Sequence, residues 1–280
     1  MVVTPISRAG GSEKVGSNVE KHFSYADFLS SAQFSPASIP EKNEGEKHGA
    51  KLTFPPAFNL DFVERLLGKK EDELLSRSTQ RRLDSLHDQI PRVIDSQVSY
   101  TVQKIKDNEK GIVTLDCGIG LKSAKLAYAL KKAHSAVGFI ATVGSAVDHQ
   151  IDNMMASNKM ADAYVVDALG SGAVEQLAET FQGHVADRLK KYGQAVGLRF
   201  SPGYCDWPVS EQKKLFSFID SDSIDVSLEE TSLMRPRKSI SAVFGIYDEN
   251  VAPALENHNP CRQCTKKDCL ARRASRKTPT

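Results

Sequence analysis

Two hydrophobic periods divide the chain. Leu60, Val63, Leu66 and Leu67 recur at helical spacing behind Asn59, a residue suited to an N-cap, and before Gly68, a helix stop. Leu75, Leu83, Leu86 and Ile90 predict a second helix over 71–89, ended by Pro91. Val98-Ser-Tyr-Thr-Val-Gln103 alternates as a half-buried strand does, Asn108 to Gly111 reads as a turn, and Ile112 to Leu115 as a second short strand. A helix over 123–133 is expected next, then a buried strand over the apolar run Ala136 to Val143. Val147, Ile151, Met154 and Met155 return to helical spacing, and a long helix is predicted from Met160 to Tyr192. Ala195 to Phe200 reads as a strand, Pro208 onward as a helix with Ser210 near its cap, and Asp225–Leu233 and Ser239–Tyr247 as strand-like runs. This alternation between residues 98 and 200 is compatible with both α+β and α/β architectures.

Composition sets the boundaries. Residues 1–54 are rich in Ser, Gly, Lys, Glu and Pro, and Phe23, Tyr25, Phe28, Leu29 and Phe34 are too few anchors to offset the entropy of ordering them. This segment is expected to be largely disordered, residues 55–250 to form the folded domain, and 251–280 to form a basic cysteine-rich tail. Hydrophobic residues make up 40% of the 280, enough for a sizeable core. No stretch approaches the roughly 18 consecutive apolar residues of a membrane span, and no secretory signal is visible at the start, so a cytoplasmic protein is expected. The net charge of +2 hides an asymmetry: residues 260–280 carry seven Lys/Arg against one acid, which leaves the rest at about −4. A body of that sign lacks the broad basic surface of a nucleic-acid binder.

The tail carries the strongest purely chemical signal. Cys261-Arg-Gln-Cys264 lets two thiolates grip one metal through a tight turn, and Cys269 reaches the same centre. Neighbouring cations lower the thiol pKa values and offset the charge of a thiolate-bound centre. The pattern fits zinc or an iron–sulfur cluster, but not the bacterial ferredoxin run. A fourth ligand is needed from Cys205, His258, Cys117, a water or an external group, and Cys205 is preferred because it fastens the tail beside the motif described below.

Two other segments have a bland and a chemical reading. Thr114-Leu-Asp-Cys-Gly-Ile-Gly120 has the look of a nucleotide-binding glycine loop, but Lys122 replaces the third glycine, and a plain strand-to-helix turn is the preferred reading. Ala168-Leu-Gly-Ser-Gly-Ala173 in the long helix signals close packing, with a pocket lined by Ser171 and Gly172 as the alternative. Glu175 and Glu179 lie one turn apart on a shared face of that helix.

The densest polar constellation is Arg199-Phe-Ser-Pro-Gly-Tyr-Cys-Asp-Trp-Pro208, which holds the only tryptophan. Arg199 offers a bidentate fork for a carboxylate, Pro202-Gly203 sets a turn that exposes backbone, and Tyr204 presents a ring and a hydroxyl. With Met234-x-Pro236-x-x-Ser239-x-Ser241 and Gln176-Leu-Ala-Glu-Thr-Phe181, this motif resembles the activation domain of vitamin B12-dependent methionine synthase, whose corresponding runs are R-P-x-P-G-Y-P, M-x-P-x-x-S-x-S and R-L-A-E-A-F. Cys205 stands where that family has proline, and Phe244 where a tyrosine is expected.

The resemblance covers residues 58–250 and implies an α+β fold with a curved, mainly antiparallel sheet and flanking helices. It implies that S-adenosylmethionine is held by Arg199, Pro202, Gly203, Tyr204, Glu179, Ser239 and Ser241, with Tyr204 at the reacting end. The implied activity is reductive methylation of a corrinoid (cobalamin) carried by a partner protein or methyltransferase. The cysteine tail lies outside that family's pattern; the reading adopted is that an iron–sulfur cluster held there, or an electron-donor protein, supplies the electron, and zinc is the other reading of the metal site at Cys205, Cys261, Cys264 and Cys269. Two other functions stand beside it: a non-catalytic module that senses or carries a corrinoid or a metal, and a Rossmann-type methyltransferase centred on Asp116 to Gly120. The last requires a parallel sheet.

Overall fold

The computed structural model of the protein describes residues 49–69 and 73–251. The segment before residue 49, with its aromatic residues, and the cysteines of the tail lie outside the described residues. The sheet is built around three long strands: β2 (Gln97–Glu109), β5 (Ser135–Thr142) and β9 (Ser239–Asp248). β5 pairs antiparallel with β2 from Gln97↔Thr142 to Lys104↔Ser135 and with β9 from Ser135↔Ile246 to Thr142↔Ser239. Every residue of β5 is buried, as its unbroken apolar run requires of a strand covered on both faces. β3 (Ile112–Leu115) and β4 (Gly120–Lys122) extend one side, and β6 (Gln194–Val196) the other.

The remaining pairings depend on β2 being long. Its first residues also pair with β1 (Ala50–Thr53), a strand the periodicity does not predict, and its last with β3. Lys110 and Gly111 close the β2–β3 turn with φ of 52° and 78°, the two-residue turn whose twist matches that of the strands. The strand therefore continues to Glu109, further than expected. Every ladder among the described residues is antiparallel, including the ribbon of β7 (Ser227–Leu228) and β8 (Met234–Arg235).

This topology excludes the Rossmann reading and corrects the strand-to-helix reading of residues 114–120. Thr114 pairs with Gly120, so the glycines sit in a β-hairpin and no helix starts beside them. Helix α3 (Ala124–Ala129) begins after β4, capped by Ser123, whose hydroxyl accepts from the Leu126 amide at 3.1 Å.

Helix α1 (Leu60–Leu66) starts where Asn59 accepts from the Phe62 amide at 3.0 Å. Helix α2 (Arg77–His87) begins later than its apolar spacing suggests, because the Ser76 hydroxyl takes the Thr79 amide as an N-cap. Helix α4 (Ala146–Ala156) packs beside the longest helix, α5 (Met160–Lys190). On one face of the sheet Phe181 of α5 stacks among Tyr100, Phe139 and Phe244, with ring centroids 5.2, 4.9 and 6.1 Å away. A second core, including Leu126, Ile140, Trp207, Leu215, Val243 and Tyr247, joins the other face to α3 and to α6 (Gln212–Phe218).

The small residues of α5 serve packing. A Cβ on Gly172 would lie 2.3 Å from a methyl of Val63, and one on Gly170 2.9 Å from Val147. Ser171 accepts from Lys238 Nζ at 3.0 Å and donates to the Asp167 carbonyl.

Candidate functional site

The Arg199–Pro208 segment owes its geometry to one extra residue. Val196 pairs with Ile246 and Phe200 with Val243, so four steps along this strand answer three on β9. The bulge at 197–199 is gripped from α5 by Gln182, whose side-chain amide donates to the Gly197 carbonyl at 2.6 Å. An inserted residue exchanges the faces of everything beyond it. Phe200 consequently enters the second core, and the Arg199 side chain, 3% exposed, turns to α5 and pairs with Glu175, which is 26% exposed. The partner of Arg199 is thus Glu175, one helical turn before the Glu179 singled out by its sequence motif. Glu179 itself is exposed.

Beyond Arg199 the chain closes a compact turn. The Gly203 amide donates to the Trp207 carbonyl at 2.8 Å and the Trp207 amide to the Tyr204 carbonyl at 3.1 Å. Gly203 has φ of 90° and Cys205 φ of 57°. Open space surrounds Gly203: a Cβ there would touch only Val209, at 3.7 Å. Trp207 is buried as the anchor, Pro202 is buried as well, Tyr204 at the tip is 53% exposed, and the neighbouring Cys205 is exposed too.

Asp206 fastens this turn to α3. Its carboxylate accepts from the Ser123 hydroxyl at 2.7 Å and from the Lys125 amide at 3.2 Å. Burial alone raises its pKa, but the hydrogen bonds from Ser123 and from the backbone at the start of α3 outweigh it and hold the carboxyl below its ordinary range. Glu211 repeats the device on β4: partial burial opposes ionisation, yet the Lys122 amide at 2.9 Å and Lys214 keep its carboxyl low. The sequence reading missed both carboxylates because their partners lie more than eighty residues away.

The second motif lies at the start of β9. Ser239 donates to the Pro236 carbonyl at 2.7 Å across the turn that holds the cis Arg235–Pro236 bond, and it contacts the Thr142 hydroxyl at 3.0 Å. Lys238 reaches Asp167 of α5 at 2.7 Å, and Arg237 reaches Asp152 of α4 at 2.7 Å. Ser241 differs from its neighbours: its hydroxyl is buried and finds no partner among the described residues. Phe244, where a tyrosine was expected, lies in the aromatic core against Phe139 and Phe181.

Two shallow depressions, of about 370 and 410 Å³, lie at α4 and at the β7 ribbon, and neither is lined by the Arg199–Pro208 turn. Among the described residues no group of His, Cys, Asp or Glu side chains forms a metal site, and no helix is long and apolar enough to cross a membrane.

Comparison with known proteins agrees with the motifs. The family model described as the activation domain of vitamin B12 dependent methionine synthase matches residues 126–251, a span that contains both motifs. No curated protein matches the chain. Among solved structures, the crystal structure of the MetH reactivation domain bound to AdoHcy aligns with a TM-score of 0.54 at 15% identity, over 73% of this chain and 80% of that one. Residues 126–251 thus match the activation-domain family of vitamin B12-dependent methionine synthases, and the described chain has the fold of the reactivation domain, a curved antiparallel sheet with flanking helices.

Proposed function

We propose that this protein binds S-adenosylmethionine at the Arg199–Pro208 turn and serves the reductive methylation of a corrinoid carried by a partner protein. The observation that carries this reading is the turn itself: a solvent-facing Gly203-Tyr204-Cys205 tip held between two buried anchors, Arg199 and Trp207. The open space at Gly203 suits close approach of a ligand to backbone, and the unpartnered Ser241 hydroxyl is a polar group ready for one. Arg199, Pro202, Gly203, Tyr204, Glu179, Ser239 and Ser241 form the proposed binding set. The AdoHcy bound in the structural relative supports that ligand class.

In this reading one electron reduces the cobalt, and the reduced cobalt accepts the methyl group from the sulfonium, leaving S-adenosylhomocysteine. The chain's own contribution is to orient the donor and to present Tyr204 toward the corrinoid. Cys261, Cys264 and Cys269 supply a thiolate set for an iron–sulfur cluster or zinc, with Cys205 as the proposed fourth ligand, and a cluster there is a source of the electron. Cys205 is exposed on the turn beside Tyr204, which suits that role.

Calorimetry with S-adenosylmethionine, and with a cobalamin-loaded partner protein, tests the binding reading: saturable binding of the donor is expected, and its absence overturns it. Anaerobic metal analysis with a visible spectrum tests the tail. Iron with broad visible absorption supports the electron role, zinc alone removes it, and an unchanged metal content in Cys205→Ser removes Cys205 from the ligand set.

A further inference from the structure

The groove of about 410 Å³ between α6 and the β7–β8 ribbon takes no part in the Arg199–Pro208 turn. Its apolar surface comes from Phe216 of α6 and Leu228 of β7, and the buried Ser221 lines it as well. Its rim is charged. Asp222, Glu229 and Glu230 stand on one wall and Lys213 on the other. Residues 220–230 hold five carboxylates and no Lys or Arg. Of the nearby cations, Arg235 pairs with Glu229 at 2.7 Å and Lys51 donates to the Ser223 carbonyl at 3.0 Å. An apolar floor inside an acid-rich rim selects a segment that carries an apolar side chain between cations.

The chain carries such a segment in its tail. Over residues 266–277, Leu270 is the one large aliphatic side chain. Lys266 and Lys267 precede it, Arg272, Arg273, Arg276 and Lys277 follow it, and Asp268 is the one acid. We infer that this stretch docks in the groove of its own chain, with Leu270 against Phe216 and Leu228 and the flanking cations against the acidic rim. Long basic side chains suit both parts of the surface, since their stems cover apolar area while their heads meet carboxylates. Val251, the last described residue, packs against the second core, to which Phe216 belongs and on which Leu228 packs. The chain from Val251 to Leu270 reaches roughly 60 Å when extended, more than the width of a domain of this size, so the tether allows the contact. Tethering also makes weak individual pairings sufficient, because the segment never leaves the vicinity of the groove. The inference requires neither the proposed S-adenosylmethionine site nor a metal in the tail.

Zero-length carbodiimide coupling of the dilute full-length protein tests the contact, because it joins only carboxylates and lysines that touch. Mass spectrometry is expected to find amide links from Asp222, Glu229 or Glu230 to Lys266, Lys267 or Lys277 in the monomer. Links found only in dimers place a second copy's tail in the groove and overturn the inference. Tail lysines linked only to other carboxylates, or to none, overturn it too.

Trypsin cleavage after Arg272 and Arg273 under native conditions gives a second readout, referred to the free peptide of residues 266–277 carrying Cys269→Ser. Raising KCl from about 50 to about 500 mM is expected to speed cleavage of the protein relative to the peptide by about threefold or more, since exposed ion pairs are screened. Glu230→Lys, which alters an exposed residue of the rim, is expected to do the same at low salt. So is Leu270→Ser, which leaves every charge in place and removes the apolar anchor. Both variants are first shown to keep the melting curve and metal content of the unaltered protein. Cleavage of the unaltered protein at the rate of the free peptide at low salt, or an unchanged rate in either variant, overturns the docking.

Discussion

Removing the Asp206 carboxylate isolates the bolt between the Arg199–Pro208 turn and α3. In Asp206→Ala the Ser123 hydroxyl loses an acceptor at 2.7 Å and the Lys125 amide one at 3.2 Å, while Ser123 still caps Leu126. Loss of such a cap costs about 1–2 kcal/mol, and a domain of this size loses roughly 2–4 °C in Tm per kcal/mol, so Tm falls by about 2–8 °C. Because the folded carboxyl sits below its ordinary value of 3.8, its stabilisation is complete above that value and is lost as the pH falls through the lower, folded pKa. The difference between the two proteins is therefore full near pH 7 and shrinks as the pH falls below that ordinary value. Trp207, the only tryptophan, is buried next to the substituted residue, so its emission reports on the turn directly. Melting curves with tryptophan emission from acid to neutral pH provide the assay, with Asp206→Asn, which keeps one acceptor, expected between the two. Equal melting at pH 7, or a deficit that stays constant into acid, would refute the reasoning.

Three further outcomes follow from the packing. Gly172→Ala gains about 1 kcal/mol of helix propensity, but the new methyl lies 2.3 Å from Val63 and forces α1 outward at a cost of about 1–3 kcal/mol, so a net loss of stability is expected by denaturant titration. Tyr247→Phe removes the 2.7 Å hydrogen bond to the buried Ala129 carbonyl and keeps the ring, which predicts a loss of about 1–2 kcal/mol in the same titration. Gly203→Ala meets no steric barrier but must adopt φ of 90°, at about 1–2 kcal/mol, and the strained turn is expected to bind S-adenosylmethionine more weakly in calorimetry.

Local pattern and long-range pairing decided different parts of this protein. The unbroken run of β5, the apolar repeat of α4 and the Asn59 cap were legible because each expresses a period or a hydrogen bond closed within a few residues. The Arg199–Pro208 and Met234–Ser241 motifs were legible in the same way, as fixed residue types at fixed spacing. Pairing was not. The glycines at 118 and 120 have the same composition in a strand-to-helix turn as in a hairpin, and the ladder from Thr114 to Gly120 makes them a hairpin. β1 exists because the long β2 offers it an edge. The partner of Arg199 is decided by a single inserted residue near Gly197, which reverses the face on which the guanidinium emerges and delivers it to Glu175. The sequence alone determined which residues make the turn, since turn chemistry is local. Tertiary structure decided which carboxylates meet it, since a side chain's face depends on a register fixed by strands and helices far away in the chain.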